Sequence, residues 1–551
     1  MSRARTLSAT TLLTCTALLA GCGDSEAPLA SQNDTAAKRP NVVYILVDDL
    51  GISDLSAWGS EIPTPNLDAL AREGMVLTDF FTSMTCSPTR SMLMSGTDNH
   101  LAGLGVMTGP TRADHMGVPG YLGYLNFEVA SMPELLADAG YNTYMTGKWH
   151  LGKEVATGPV ARGFKHAFAS LDGAAHLGGL NWSSPVPAEY RDDEELVHVE
   201  DDDFYTTEFY TRRMIEYIDN DRDSGQPFFA YLAYTAPHWP LQAPEASIEK
   251  FRGWYDEGYE TIYASRYARM DNMGLLPEGA APVDESVWQP RWDELSAEEQ
   301  RFSARRMEIY AAMVSDLDHY VGEFVDYLKS IGEYDNTLLV FSSDNGAEPG
   351  RRDLNPPISN YIGNGFDNSF DNLGKGDSYV MYGRNWATVS SIPNQRHKFT
   401  AFEGGVQVPA FAHFPGRIAP NSRSSATMTV MDILPTFLEL AETPLPGAEY
   451  KGRSIHPPKG VSLLPVLSGE SDRAHPQDQL FGWELFGHRG IRQGDWKIVW
   501  DADMGDAAHW QLFNLAEDPS EQNNLADAQP QRLAEMIGLW DRYAEENQVI
   551  Y

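Results

Sequence analysis

Four apolar runs in this chain end on polar residues of two chemical kinds. NVVYILV (41–47) leads into Asp48 and Asp49, and NTYMT (142–146) into Gly147, Lys148, Trp149 and His150. PFFAYLAYTAP (227–237) leads into His238, and NTLLVFSS (336–343) into Asp344 and Asn345. Asp48, Asp49, Asp344 and Asn345 offer oxygen ligands, which suit a hard divalent cation such as calcium or magnesium; a softer metal would draw on His or Cys. An Asp-Asp pair after a strand also caps turns and helices, so the second acid-amide pair in the equivalent place carries the metal reading. Lys148, His150, His238, Arg90 and Lys398 (in KFTAFEGG) are cationic or can become so. Gathered beside a cation, they form an anion site whose natural ligands are oxyanions of phosphorus or sulfur.

Cys86, in MTCSPTRSMLMSG, is one of three cysteines in 551 residues. Cys15 and Cys22 fall in the leader described below, so Cys86 stands alone in the body and an intramolecular disulfide is impossible there. Ser87 reads as an N-cap and Pro88 as a first-turn residue, which predicts Cys86 just ahead of a helix over 89–94. Free N–H groups there favour negative charge, and a thiolate would be activated. A tyrosine-phosphatase-like loop is rejected by spacing: it needs five residues between cysteine and arginine, and only Ser87, Pro88 and Thr89 intervene here. A thiolate also mismatches an oxygen-lined hard cation, and an oxygen at position 86 would suit it better.

The elements that must position these groups are legible as an alternation. Continuous apolar runs at 41–47, 141–145, 227–234, 336–342 and 408–414 read as strands covered on both faces. Helical patterns lie between them at 132–141, 297–332 and 430–441. The fold class is therefore α/β, a large mostly parallel sheet between helices. Ligands in such sheets bind beyond the carboxyl ends of the strands, where these polar groups fall. From residue 446 the texture changes to short antiparallel strands (490–500 and 509–515) and a helix over 529–546, a smaller C-terminal unit of 446–551 on a main domain of 41–445. Residues 350–397 read as a long irregular loop of the kind that shapes a site.

The leader has Arg3 and Arg5, an apolar run from 11 to 20 and small residues around Cys22, the order of a secretory signal, and is too short to span a membrane. Leu19-Ala20-Gly21-Cys22 resembles a bacterial lipobox, in which Cys22 becomes the lipidated first residue. The expected organisation is a signal peptide over 1–22 and a flexible linker over 23–40. The expected location is the periplasm or cell surface of a bacterium, with a membrane anchor at Cys22. A formal net charge of -37 argues against nucleic-acid binding and against adhesion to anionic membranes by a basic patch.

Cys86-Ser87-Pro88-Thr89-Arg90 followed by SMLMSG resembles the signature of the sulfatase family, the formylglycine-dependent type I sulfatases of the alkaline phosphatase-like superfamily. In that family the cysteine is oxidised to formylglycine by a dedicated formylglycine-generating enzyme. The resemblance extends through NVVYILVDDLG, TGKWHLG, TAPHWP, FSSDNGA and LFNLAEDPSEQNNLA. TCSPTRSMLMSGTDNHLAGLG and RGFKHAFASLDGAAH look most like the bacterial arylsulfatases. It implies one calcium ion bound by Asp48, Asp49, Asp344, Asn345 and the modified residue 86. It implies further that Arg90 holds the aldehyde hydrate, that Lys148, His238 and Lys398 grip the sulfate, and that His150 contacts the second hydroxyl. In the implied reaction Asp344 acts as base, the hydrate attacks sulfur, and His238 or Lys398 protonates the leaving alcohol. Gln407, where the family usually has arginine, is the one departure. The alternatives are a phosphoester or phosphonate hydrolase of the same fold and a non-catalytic lipoprotein that binds sulfated glycans.

Overall fold

The structure, a computed structural model, describes residues 38–551 except 172, 174, 182–183, 200–203, 352–364 and 508. The leader with Cys22, the linker up to residue 37 and the stretch 352–364 of the expected long loop lie outside the described residues.

Strand β1 (Asn41–Val47) is buried along its whole length. Val43, Ile45 and Val47 enter one apolar cluster and Val42, Tyr44 and Leu46 the other, the period-two alternation of a strand covered on both faces. It is central in a ten-stranded sheet with β2 (Met75–Leu77), β3 (Asn142–Lys148), β4 (His166–Ser170), β5 (Tyr190–Asp192), β6 (Glu195–Val197), β7 (Phe228–Ala233), β8 (Thr337–Ser343), β9 (Ala410–His413) and β10 (Ser422–Ser424). The order across it is β10-β2-β9-β8-β1-β7-β3-β4-β5-β6. Neighbours β8, β1, β7, β3 and β4 are parallel. β9 and β5 flank that block in antiparallel register, so the sheet is mixed.

Helices α1 (Pro65–Glu73), α2 (Cys86–Ser95), α3 (Met132–Asp138), α4 (Thr206–Asp221), α5 (Ala297–Ser330) and α6 (Ile433–Leu440) cover the sheet. α1, α4 and α5 pack on one face, and α2, α3 and α6 on the other. α5 starts where Ser296 and Glu299 bond each other's backbone N–H in a capping box. α3 stops short of the expected residue 141, because Gly140 turns into the left-handed region at φ 84°.

The C-terminal strands β11 (Leu480–Leu485), β12 (His488–Gln493), β13 (Trp496–Trp500) and β14 (Trp510–Asn514) form an antiparallel sheet, covered by α7 (Pro530–Glu546). The run 490–500 is thus parts of two strands, split at Gly494 with φ 57°. Trp483, Leu485 and Val499 pack on Phe81, Met84 and Phe402, which joins this sheet to the segment just before α2.

His100 sits in the same region, fully buried. Its Nδ1 lies 2.8 Å from Asp98 Oδ1 and its Nε2 3.1 Å from Glu484 Oε2 on β11, while Tyr543 of α7 donates to Asp98 Oδ2 at 2.7 Å. Burial disfavours the imidazolium, but the two carboxylates outweigh it and push the pKa up to about 9. A folded pKa above the unfolded value of about 6.5 stabilises the fold fully below that value, and the contribution is lost as pH rises through about 9. Thermal melts of wild type and His100→Gln should therefore differ most near pH ~6 and least near pH ~10. A gap that widened with pH would reject a charged His100.

Candidate active site

The carboxyl ends of β1, β3, β7 and β8 meet above the start of α2. Asp49 (φ 66°) and His150 (φ 54°) both hold left-handed backbone, uncommon for residues with a side chain. Gly147 has φ 109°, and a Cβ there would stand 1.9 Å from the carbonyl oxygen of Ala233 on β7. Only glycine lets β3 stay paired with β7 and still deliver Lys148 to the site. Backbone bonds tie the turns together: Asp48 N–H to Ala236 O (3.2 Å), Asp344 N–H to Val47 O (3.0 Å) and Lys398 N–H to Ala347 O (3.1 Å).

Helix α2 begins at Cys86, with extended Thr85 before it, so Cys86 lies in the first turn rather than ahead of the helix. Ser87 is inside the helix and is not the N-cap. Pro88 is the third helical residue, where its missing N–H breaks no intrahelical bond. The loop before it is held by the Ser83 N–H, which donates to Thr89 Oγ1 at 2.9 Å.

The groups expected at the site converge. Cys86 Sγ donates to Asp48 Oδ1 at 3.3 Å. Lys148 Nζ donates to Asp48 Oδ2 at 2.6 Å, and Lys398 Nζ to Asp49 Oδ1 at 2.7 Å. Arg90 forks onto Asp344 Oδ2 through Nε (3.1 Å) and Nη2 (2.7 Å), and its Nη1 donates to the Lys148 carbonyl at 2.7 Å. Asn345 Nδ2 donates to Asp49 Oδ1 at 2.7 Å, and His238 Nε2 lies 3.5 Å from Asp49 Oδ2. His150 lines the same cavity and its Nδ1 has no hydrogen-bond partner.

Charges are strongly coupled here because all are buried. Burial would raise Asp48, but Lys148, His238, Arg90 and Lys398 win and hold it well below the usual carboxylate range. Burial together with Asp48 pushes Asp344 up to about 7, against Arg90 and Lys148. Burial, then Asp344 and Asp48, drive the Cys86 thiol well above its ordinary pKa, so the helix N-terminus does not produce a thiolate. Burial and then Lys148 hold His150 far down in its neutral form, and burial lowers His238 to about 4.

Sequence reasoning missed Glu348. It is buried, lines the cavity and lies 3.3 Å from Lys398 Nζ. The signal was available, since Glu348 follows Asn345 by three residues in the same strand-end loop. It also missed the apolar walls: the cavity, about 260 Å3, is flanked by Met107, Trp239, Phe399 and Phe486. Gln407 bridges Asn394 Nδ2 (2.7 Å) and Thr78 O (3.0 Å), while Arg492 of β12 forks onto the neighbouring Asp79 at 3.1 and 3.2 Å.

The residues present fit a hard cation. Asp49 Oδ2 and Asn345 Oδ1 are buried without a hydrogen-bond partner, and ligand atoms of Asp48, Asp49, Cys86 and His238 lie within 4.8 Å of one another. Buried acceptors left unmet are costly, and a cation would meet them.

Residues 40–443 match the family described as Sulfatase, and residues 396–539 the family described as N-sulphoglucosamine sulphohydrolase, C-terminal. A sulfatase of Schizosaccharomyces pombe is 44% identical over 541 residues, covering 95% of this chain and 96% of its own. The arylsulfatase of Klebsiella aerogenes is 39% identical over 438 residues, covering 78% of this chain and 92% of its own. The crystal structure of Ps i-CgsB in complex with k-i-k-neocarrahexaose superposes with a TM-score of 0.66 at 24% identity, covering 93% of this chain and 94% of that one, and so shares the fold.

Proposed function

The chain belongs to the sulfatase family and is a sulfuric ester hydrolase; on that premise we propose that its nucleophile is an oxygen of formylglycine, made from Cys86, working beside a bound calcium ion. The state of Cys86 carries this reading. It is 1% exposed, kept as a thiol by burial and by Asp344 and Asp48, and set among ligands that favour oxygen chemistry. Converted to formylglycine and hydrated by one water, residue 86 would present two hydroxyls: one attacks sulfur as the alcohol leaves, and loss of the proton from the other re-forms the aldehyde and expels sulfate, so no water need attack the sulfate ester. Asp48, Asp49, Asp344 and Asn345 would hold the calcium ion, which would supply positive charge against the developing negative charge of the reaction.

The other residues take roles that follow from their contacts. Lys148 and Lys398 bind sulfate oxygens and balance Asp48 and Asp49. Arg90 fixes Asp344 and the Lys148 carbonyl, so Asp344 accepts the proton from position 86 in a set orientation. His238 uses Nδ1 on the Trp239 carbonyl, which leaves Nε2 facing the site. Neutral with its proton on Nδ1, it accepts at Nε2, and Lys398 gives the proton to the leaving alcohol. His150, neutral, takes the last proton at residue 86.

Burial of Cys86 favours modification before folding, and so a formylglycine-generating enzyme as partner during export. Export itself and a lipid anchor at Cys22 belong to the same proposal, carried by the leader pattern.

The test is to digest protein from its native cell with trypsin and weigh the peptide Glu73 to Arg90. A lighter, hydrazide-reactive peptide supports the aldehyde, and a fully alkylatable thiol defeats it. For the metal, calcium should raise the Tm of chelator-stripped wild type, as any ligand of the folded state does. Asp49→Asn should lose most of that rise, and an equal rise in both would place the ion elsewhere.

A further inference from the structure

Phe486 is a bulky aromatic where the backbone favours Asn or Gly. It sits with Gly487 at the tip of the β11–β12 hairpin, and both have positive φ, 55° and 88°. The turn is braced by the Gly487 N–H, which donates to Glu484 Oε1 at 3.0 Å. Leu485 beside it is fully buried, yet Phe486 stays 50% exposed and lines the cavity above Cys86. Phe399 repeats the pattern from another segment. It has φ 75°, its N–H donates to Met84 O at 3.0 Å, and its ring lies 5.3 Å from Lys398 Nζ on the same cavity wall.

Trp239 completes this side, its ring 4.7 Å from that of His238 and edge-on to Tyr379. Met107 adds an adaptable thioether from the loop after α2. The cations lining the cavity, Lys148 and Lys398, both pair with carboxylates of its floor, as His238 does at 3.5 Å. Among the described residues its wall holds no further cation for a second anionic group of a substrate. The volume, about 260 Å3, is at the small end for ligand pockets, enough for a sulfate and one ring.

We propose that Phe486, lent by the C-terminal sheet, forms with Phe399, Trp239 and Met107 a leaving-group subsite that selects a single flat apolar ring over a sulfated sugar. This rests on the sulfate-ester reading above. A ring set against the three aromatic side chains and the thioether gains stacking and loses apolar exposure, whereas the hydroxyls of a sugar placed against those four side chains would lose water without a partner on them, although Thr108, Thr235 and Glu348 also line the cavity.

The experiment compares wild type, Phe486→Ala and Phe486→Trp as full-length, matured protein. It reads KM and kcat for 4-nitrophenyl sulfate, the inhibition constant of inorganic sulfate, and that of glucose 6-sulfate. Inorganic sulfate occupies the floor and has no ring. Phe486→Ala should raise KM for the aryl ester about tenfold, a loss of one stacking face, with the sulfate constant moving less than about twofold and Phe486→Trp restoring KM. Glucose 6-sulfate should inhibit wild type with a constant at least roughly tenfold above the aryl KM. An unchanged KM in Phe486→Ala, a parallel rise in both constants, or tight inhibition by the sugar sulfate would each overturn the subsite. Wild type that neither cleaves the ester nor binds sulfate would instead overturn the sulfatase chemistry, and the subsite with it.

Discussion

Cys86→Ala is expected to lower sulfate release by at least ~10^4-fold, the scale seen when a nucleophile is removed from an otherwise intact site, with a melting temperature close to wild type. The side chain is small and makes one polar contact, the 3.3 Å bond to Asp48, so little packing is lost. Cys86→Ser is the more informative variant. A serine has one oxygen, so sulfate transferred to it can leave only if water attacks the ester. The expected trace with 4-nitrophenyl sulfate is a burst of about one phenol per chain and then near arrest, with the peptide Glu73 to position 90 recovered heavier by one sulfate group. Steady turnover by the serine variant at the parent rate would show that one hydroxyl suffices and would remove the reason for an aldehyde.

How far this site was legible in the sequence depends on where each residue sits. Asp48, Asp49, Lys148, Asp344 and Asn345 follow directly from strands whose unbroken apolar runs announce burial on both faces, and the parallel core of the sheet brings their ends together. Lys398 was harder, because it comes from a loop; what fixes it is a backbone bond to Ala347, invisible to any local pattern. The start of α2 was misplaced for a related reason. Ser87 and Pro88 are good first-turn signals, but the helix starts about one turn earlier, at Cys86, with the Ser83 N–H bonded to Thr89 Oγ1 across that turn. β11 escaped because LFGWEL faces two apolar neighbours at once, Tyr543 of α7 on one side and the segment before α2 on the other, so its pattern does not alternate cleanly. Phe486 had no signal at all, since a turn-tip aromatic acquires meaning only when the hairpin is docked over the cavity.

Lys148→Ala should separate the lysine's electrostatic role from its substrate role, and it bears on the cation as well. Lys148 Nζ lies 2.6 Å from Asp48 Oδ2, and both side chains are at most 2% exposed. Removing one partner of a buried pair leaves an uncompensated charge and typically costs about 3–5 kcal/mol. Arg90 Nη2 stands 3.7 Å from the same oxygen and relieves part of that. In chelator the variant should therefore melt well below wild type. In calcium the gap should narrow, because a divalent ion at Asp48 takes over the compensation and binds the variant with a larger gain in stability. Turnover in calcium should fall by roughly 10^3-fold, since the lost ammonium also stabilises charge on the sulfate oxygens and no metal restores that hydrogen bond. The inhibition constant of inorganic sulfate, measured in calcium, should rise with the loss of turnover. A melting deficit of the same size with and without calcium would mean that Asp48 does not hold the ion, whatever the activity does.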